Sequence, residues 1–346
     1  MTISRAAGAK HWPDDRAVRV GVIGVGSMGG NHLRVYETLK RVQLVGLYDP
    51  NDERAAALAK QYNCQAFPSL EKVMAEIDAA SICAPSTLHG EIGETLLSAG
   101  IHCLIEKPLA ATEGECLRLI NAAARSQAKL LVGHIERFNP SVRQLSSMLA
   151  ARGERIRAID TRRLSSVSKR IVDVDVVADL MVHDLDIIRS LAGPLVTVSA
   201  ASGVREHGGS GRDHVTALLD LGDGAMASAT ASRITQNTVR RIAITTDAGL
   251  IDVDYVDQSV QIYTQDVVRP AGPATSFGDY ALDIRMERVQ VRRTEPLQVE
   301  LRHFIDVIRN DTEPLVTGED GLAALRLVWG VHEHLNRAQI AQAAAE

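Results

Sequence analysis

Short apolar runs alternate with stretches of mixed character over residues 18 to about 135. Apolar runs of about four to eight residues between turn signals are typical of buried strands, and the longer stretches between them are typical of helices. The predicted strands are Val18–Val25, Gln43–Tyr48, Ala79–Ala84, His102–Ile105 and Lys129–Gly133, and the predicted helices are Gly30–Lys40, Asp52–Gln61, Leu70–Glu76, Glu91–Ala99 and Glu113–Ser126. This alternation predicts an α/β Rossmann domain, a doubly wound parallel sheet.

The pattern changes near residue 137, where strand-like runs with alternation or β-branched residues begin to dominate. The predicted strands here are Ile156–Leu164, Val196–Val204, His214–Leu221, Ala225–Ser232, Arg241–Thr246, Gly249–Tyr255 and Ser259–Tyr263, and the predicted helices are Asn139–Ala151, Val174–Leu191, Leu297–Asn310 and Glu319–Ala338. We therefore expect a tail over residues 1–16, a nucleotide-binding domain over 17–136, and an α+β domain with a mostly antiparallel open sheet over 137–346. Mobile loops are expected at His207–Arg212 and Pro270–Gly278.

Composition narrows the class of protein. The chain has 346 residues, a net charge of −5, 45% hydrophobic residues and no long basic run, so nucleic acid is not an expected partner. The four cysteines form no CxxC pair, and no apolar stretch reaches membrane-spanning length. The first 16 residues lack the apolar segment of a signal peptide. We expect a cytoplasmic protein with no membrane partner.

A glycine-rich turn, Gly24-Val25-Gly26-Ser27-Met28-Gly29, joins the first predicted strand to the first predicted helix. Its three glycines suit a tight turn, close approach of a pyrophosphate and close helix–strand packing, with the phosphates on the helix N-terminus. Asp49 follows the second strand, where a carboxylate binds the ribose hydroxyls of adenosine. The carboxylate would repel a 2′-phosphate, and Pro50 and Asn51 supply no arginine to receive one. The cofactor predicted is therefore NAD rather than NADP.

Two further strand ends carry candidate chemistry. Glu106-Lys107-Pro108 follows His102–Ile105, at the edge where ligands gather in such sheets, although a lone lysine there is more often a solvated surface residue. Pro85, Ser86 and His89 follow Ala79–Ala84. They contact the cofactor or the substrate in one interpretation, and only cap the next helix in the other.

Asp179, His183 and Asp186 recur at helical spacing in Val174–Leu191 and fall on one face of that predicted helix. They form either a solvated polar face or an acid–base device in which the acids stabilise a protonated imidazole. No cysteine or second histidine nearby completes a zinc site, so no metal is predicted.

At the predicted domain junction, Arg137 and Asn139 are candidates for binding sugar hydroxyls or phosphate. Asn139 also fits a helix N-cap followed by Pro140 at the first helical position. The two interpretations are compatible with each other.

Together these residues resemble the glucose-fructose oxidoreductase/inositol dehydrogenase/rhizopine-catabolism (Gfo/Idh/MocA) family of NAD(P)-dependent sugar oxidoreductases. The resemblance covers Val18 to the last helix and includes the glycine turn, the Glu106-Lys107-Pro108 motif and the Asp-x-x-x-His-x-x-Asp motif from Asp179 to Asp186. It implies that Lys107 and His183 are the catalytic pair and that Asp179 supports them. It also implies that Glu106 lies at the cofactor.

Within the family, residues 134–140 and 179–187 look most like the branch that oxidises the C3 hydroxyl of UDP-N-acetylglucosamine for lipid A synthesis, although Val182 replaces a common glycine. Substrate-binding candidates are then Lys107, Arg137, Asn139, Asp179 and His183, with basic residues for the UDP phosphates, namely Arg163, Lys169, Arg170 and Arg233. Two alternatives stay open: a dehydrogenase of another polyol such as inositol, and a non-catalytic NAD-binding sensor. The open sheet face predicts a homodimer or homotetramer.

Overall fold

The structure, a computed structural model, describes residues 12–13, 16–166, 175–206, 211–268 and 281–343. Two units divide the chain: residues 1–138 with 295–323, and residues 139–294 with 324–346. The predicted loop Pro270–Gly278 lies outside the described residues, and so do most of the predicted tail and most of the predicted loop His207–Arg212. Lys169 and Arg170 also lie outside the described residues.

The first unit contains a six-stranded parallel sheet in the order β3-β2-β1-β4-β5-β6. Its strands are β1 Val18–Ile23, β2 Val42–Tyr48, β3 Gln65–Ala66, β4 Ala79–Ile82, β5 His102–Glu106 and β6 Leu130–Gly133. The helices along this stretch are α1 Ser27–Thr38, α2 Asp52–Gln61, α3 Leu70–Met74, α4 His89–Ser98 and α5 Glu113–Ser126. This topology confirms the doubly wound prediction, and only the two-residue β3 was missed.

Local sequence explains where these helices start. Asn51 accepts a hydrogen bond from the Arg54 backbone N–H (2.9 Å) and caps α2. Thr112 and Glu115 form a capping box at the start of α5. Each device satisfies backbone N–H groups that have no partner inside the helix.

The second unit contains an eight-stranded sheet in the order β14-β13-β12-β11-β7-β10-β9-β8. Its strands are β7 Ile156–Leu164, β8 Thr197–Val204, β9 His214–Gly222, β10 Ala225–Ser232, β11 Val239–Thr246, β12 Leu250–Asp254, β13 Ser259–Val268 and β14 Ala281–Val289. The pairing of β7 with β10 is parallel and the other described pairings are antiparallel, which confirms the predicted sheet type. The sequence did not predict β14.

One face of this sheet is covered and the other is open. The covered face carries alternate apolar residues such as Ile242, Ile244 and Ile251, which are at most 1% exposed. On the other face a register row runs across six strands through Met226, Ala158, Thr245, Leu250, Tyr263 and Met286. Met226 and Met286 are 50% and 59% exposed. The structure therefore leaves a row of mostly apolar residues on the open face.

The remaining helices are α6 Pro140–Arg152, α7 Val182–Ala192, α8 Pro296–Asn310 and α9 Gly318–Ala343. The chain position of α8 suggested the second domain, but it belongs to the first unit, where it packs against α1 and the short helix Ile135–Phe138. Leu301 and Phe304 of α8 are fully buried. The predicted domain bounds therefore need correction, because the chain returns to the first unit after residue 294.

Candidate functional site

The glycine turn has the geometry that its sequence predicts. Gly24 has φ +82°, and a Cβ there would lie 2.6 Å from the Ala84 backbone nitrogen. A Cβ on Gly29 would lie 2.0 Å from the Gly24 carbonyl oxygen, so both positions need glycine for the fold itself. A Cβ on Gly26 would meet nothing within 4 Å. The open space there is what close approach of a pyrophosphate requires.

Helix α1 begins directly on this turn. Gly26 is its N-cap, no side chain caps its first backbone N–H groups, and no acidic residue lies in its first turn. Ser27 is exposed and Met28 is half-buried. This helix end is suited to an anion, because N–H groups and the helix dipole both favour negative charge.

Asp49 lies at the end of β2, beside the same turn. Its Oδ2 accepts the Val25 backbone N–H (2.8 Å), and its Oδ1 accepts the Asn51 backbone N–H (2.9 Å) and Arg54 Nη2 (2.7 Å). Burial raises the pKa of Asp49, but the bonds from Arg54, Asn51 and Val25 outweigh it, so the pKa lies below its ordinary value. The carboxylate is therefore ionised at neutral pH and able to accept ribose hydroxyls.

Arg54 is the residue that sequence reasoning missed at this position. Pro50 and Asn51, which follow Asp49 directly, provide no arginine, whereas the first turn of α2 brings Arg54 to the carboxylate. Its side chain is 48% exposed. A guanidinium next to Asp49 offsets part of the negative charge that would repel a 2′-phosphate.

The turns after β4 and β5 are joined by His89. Its Nδ1 lies 2.8 Å from the Pro108 carbonyl oxygen and its Nε2 lies 2.8 Å from the Ala84 carbonyl oxygen. The side chain is 1% exposed. His89 thus holds the Lys107 turn against the turn that carries Pro85 and Ser86, and its predicted cofactor contact stays a prediction. Pro85 is exposed and Ser86 is half-buried.

Lys107 is half-buried, while Glu106 before it is 8% exposed. The Glu106 Oε1 atom accepts a hydrogen bond from His32 Nε2 of α1 (3.0 Å). Strand β6 provides the room, because a Cβ on Gly133 would lie 3.0 Å from Glu106 Cδ. Glu106 is therefore held inside the unit beside Lys107, and its predicted contact with the cofactor remains untested.

In the second unit, Asp179 and His183 lie where a π-helical turn, Val177–Met181, runs into α7. The spacing had predicted one regular α-helix, but a π turn carries an additional residue per turn. Both side chains are half-buried. Asp186 is 1% exposed, so the interpretation of this face as fully solvated is wrong.

Two of the predicted phosphate ligands have buried partners of opposite charge. Arg163 donates from Nε and Nη2 to the two carboxylate oxygens of Asp184, each at 2.9 Å, and the two side chains are only 4% and 3% exposed. Arg233 Nε lies 2.6 Å from Asp213 Oδ1. This geometry favours a structural role for both arginines over the predicted phosphate contact.

The junction residues are also placed. Asn139 caps α6 by accepting the Ser141 backbone N–H (3.1 Å), with Pro140 in the first turn, as the N-cap interpretation predicted. Its Nδ2 donates to the Tyr255 carbonyl oxygen (3.2 Å). Arg137 is 13% exposed and its Nη2 lies 4.0 Å from Asp320 Oδ1. Contacts of either residue with a substrate remain predictions.

Among the residues that the structure describes, no group of three or more His, Cys, Asp or Glu residues could hold a metal ion. No helix in the described part of the chain is long and apolar enough to cross a membrane.

A parallel doubly wound sheet with an uncapped α1 terminus, an open glycine turn and an ionised acid at the end of β2 fits a bound dinucleotide. These features define a dinucleotide-binding Rossmann unit. Comparisons with known proteins agree. The family model described as "Oxidoreductase family, NAD-binding Rossmann fold" matches residues 18–134, and the "GFO/IDH/MocA C-terminal domain" model matches residues 159–252.

Individual relatives span almost the whole chain. It is 34% identical over 324 residues to UDP-N-acetylglucosamine 3-dehydrogenase of Acidithiobacillus ferrooxidans, covering 92% of this chain and 99% of that protein. A crystal structure of that enzyme matches with a TM-score of 0.82 at 31% identity, over 92% of this chain and 98% of the other. Inositol 2-dehydrogenase of Rhizobium meliloti is 28% identical, covering 90% and 94%. The chain belongs to the Gfo/Idh/MocA family of oxidoreductases, and it is an NAD-dependent enzyme acting on CH–OH groups.

Proposed function

We propose that this enzyme oxidises the C3 hydroxyl of UDP-N-acetylglucosamine to a ketone with NAD, as a step towards a diamino sugar for lipid A. The observation that carries the proposal is the 34% identity to a UDP-N-acetylglucosamine 3-dehydrogenase over 92% of the chain. The motifs around Lys107 and His183 support the same reaction class.

The first unit would hold the cofactor. The N-terminus of α1 would bind the pyrophosphate, Gly26 would allow its close approach, and Asp49 would accept the ribose hydroxyls. Bound NAD supplies a hydride acceptor at C4 of its nicotinamide ring.

Lys107 and His183 act on the substrate hydroxyl in this proposal. His183, supported by Asp179, accepts the hydroxyl proton as hydride leaves the carbon, because an imidazole is a base that works near neutral pH. Lys107 holds the same oxygen and stabilises the developing alkoxide charge. The reverse assignment, with Lys107 as base, stays open from the residues alone.

A second candidate function is oxidation of another polyol. It is favoured by the 28% identity to an inositol 2-dehydrogenase over 90% of the chain. A third candidate function, which is not enzymatic, is that of an NAD-binding sensor. The presence of Lys107, Asp179 and His183 together argues against a sensor without catalytic activity. A cytoplasmic location and a homo-oligomeric state remain predictions.

A substrate panel separates these functions. The purified protein is incubated with NAD and, in turn, UDP-N-acetylglucosamine, other UDP-sugars, free sugars and inositols, and NADH formation is followed by absorbance. We expect the highest kcat/KM with UDP-N-acetylglucosamine. Faster oxidation of an inositol or a free sugar would favour the second function, and no oxidation at all would favour the sensor.

A further inference from the structure

A hydrogen-bonded pair from distant parts of the chain lies at the start of the π turn in the second unit. The Nε2 atom of His332 on α9 is 2.6 Å from Asp175 Oδ2, and the two side chains are 34% and 15% exposed. Asp175 lies just before the π turn Val177–Met181. The pair therefore joins the C-terminal helix to the segment that carries Asp179 and His183.

The Asp175 carboxylate binds in two directions. Its Oδ1 accepts the Ala178 backbone N–H (3.0 Å) inside the turn, while its Oδ2 accepts the bond from His332. Burial raises the pKa of Asp175, but the bonds from His332 and the Ala178 backbone N–H outweigh it, so the pKa lies below its ordinary value. Because an ionised carboxylate only accepts hydrogen bonds, His332 Nε2 carries the proton of their bond. One side chain thus caps the turn and binds α9.

The connection between β8 and β9 fixes the backbone at Asp175 as well. A Cβ on Gly211 would lie 2.5 Å from Asp175 Cβ, so the two residues are closely packed. The Val176 backbone N–H donates to the Arg212 carbonyl oxygen (3.1 Å). Arg212 Nη2 in turn lies 3.3 Å from Gln339 Oε1 of α9. Helix α9 therefore holds this end of the turn both directly and through Arg212.

The other end of the π turn is fixed by the core. Leu185, Ile187 and Ile188 of α7 are each 0% exposed. A π turn contains one more residue than an α-helical turn, and each helical residue rotates the chain by about 100°. While both ends are held, the turn cannot relax to a regular α-helix. Asp179 inside the turn then keeps its direction relative to His183 in α7.

We propose that His332 and Asp175 are positioning residues for the reaction: they hold the start of the π turn and so set the place of Asp179 relative to His183. The inference rests on the proposed function for the roles of Asp179 and His183. The hydrogen bonds that hold the turn do not depend on that function.

Two replacements of His332 separate its hydrogen bond from its bulk. Glutamine can place an amide N–H where the imidazole Nε2–H lies, whereas leucine has no donor. We expect His332→Leu to lower kcat roughly ten- to a hundredfold, the scale of a misplaced catalytic group, and His332→Gln to retain most of the wild-type kcat. NADH affinity, measured by fluorescence titration, should stay near that of the wild type in both variants, because the proposed cofactor contacts lie in the first unit.

His334 supplies the matched control on the same helix. Its Nε2 atom lies 3.2 Å from the Val198 carbonyl oxygen of β8. His334→Leu removes a comparable bond that does not involve the π turn, so it should leave kcat near that of the wild type. A loss of kcat in His332→Leu that is matched by His334→Leu or by His332→Gln, or no loss at all, would overturn the proposal.

A double variant tests whether His332 acts through Asp175. Asp175→Ala removes the acceptor of the bond, so His332→Leu should lower kcat no further in that background. If the two losses of kcat multiply instead, His332 acts independently of Asp175 and the proposal fails.

A spectroscopic readout tests the positioning role without turnover. In protein labelled with ¹³C-histidine, the ring signal of His183 is assigned by NMR from its disappearance in His183→Asn. This signal should shift in His332→Leu and stay in place in His332→Gln, which lacks the same imidazole ring. If no substrate is oxidised, the proposed function fails, whereas this pattern of shifts would still show that the pair positions His183. An unshifted His183 signal in His332→Leu would contradict the positioning role.

Discussion

The buried pair of Arg163 and Asp184 permits a prediction that depends on structure rather than on substrate identity. The pair joins β7 to α7 with two hydrogen bonds of 2.9 Å, and its side chains are 4% and 3% exposed. The Arg163 guanidinium also lies 5.7 Å from the ring centroid of Tyr255.

Replacing either partner alone removes both of these hydrogen bonds from a charge that stays buried. Asp184→Leu or Arg163→Met should each lower the free energy of unfolding by about 3–5 kcal/mol. The double variant removes both charges of this pair together, and apolar replacements of a buried ion pair are often neutral. We therefore expect it to lose less than about 2 kcal/mol, far below the sum of the single losses.

The assay is urea unfolding followed by the fluorescence of Trp329, which belongs to the same unit. The matched control is the pair of Arg337 and Glu333, whose side chains are 68% and 61% exposed. Its removal should change the free energy of unfolding by less than about 1 kcal/mol. Additive losses in the Arg163/Asp184 double variant would show that the two side chains do not stabilise the protein as a pair.

The same double variant tests the earlier prediction that Arg163 binds a UDP phosphate. If the arginine is structural, the KM for the nucleotide sugar stays close to that of the wild type. A large rise in KM at retained stability would restore Arg163 as a phosphate ligand.

The remaining predictions concern cofactor choice, assembly and catalysis. NADH should bind more tightly than NADPH in fluorescence titrations; Asp49→Ala should narrow this gap and Arg54→Ala should widen it, and equal affinity of the wild type for both cofactors would contradict the role of Asp49. Light scattering should show a dimer or tetramer, and Met226→Glu on the open sheet face should weaken the association of the subunits. A monomeric wild type would exclude assembly through that face. Lys107→Met and His183→Asn should each reduce turnover by roughly a hundredfold or more with NADH binding retained, while the exposed control Lys60→Met should not. The double variant of Lys107 and His183 should reduce turnover by less than the product of the two single reductions. Near-normal turnover in both single variants would mean that these residues are not the catalytic pair.

Local pattern was sufficient for five of the six strands of the first sheet, because each of them is an apolar run next to turn signals, whereas the two-residue β3 was missed. The geometry of the glycine turn likewise follows from its own residues. The motif predicted the roles of Gly24 and Gly29 in the turn. The structure gives the physical reason: Gly24 has a positive φ, and a Cβ on either residue would clash with the backbone.

Contacts between distant parts of the chain were not accessible in this way. The pairing of Arg163 with Asp184 depends on the packing of α7 on β7, and α8 joins the first unit after more than a hundred intervening residues. The π turn at Val177–Met181 was also missed, because a helical periodicity does not reveal one added residue in a single turn.

The central claim, oxidation at C3 of UDP-N-acetylglucosamine, is tested most directly with substrate deuterated at that carbon. The enzyme is incubated with NAD and the C3-deuterated sugar nucleotide, and the reduced cofactor is analysed by mass spectrometry. We expect the deuterium to appear in the reduced cofactor and the sugar product to carry a ketone at C3. Reduced cofactor without deuterium, or no reduced cofactor at all, would contradict it.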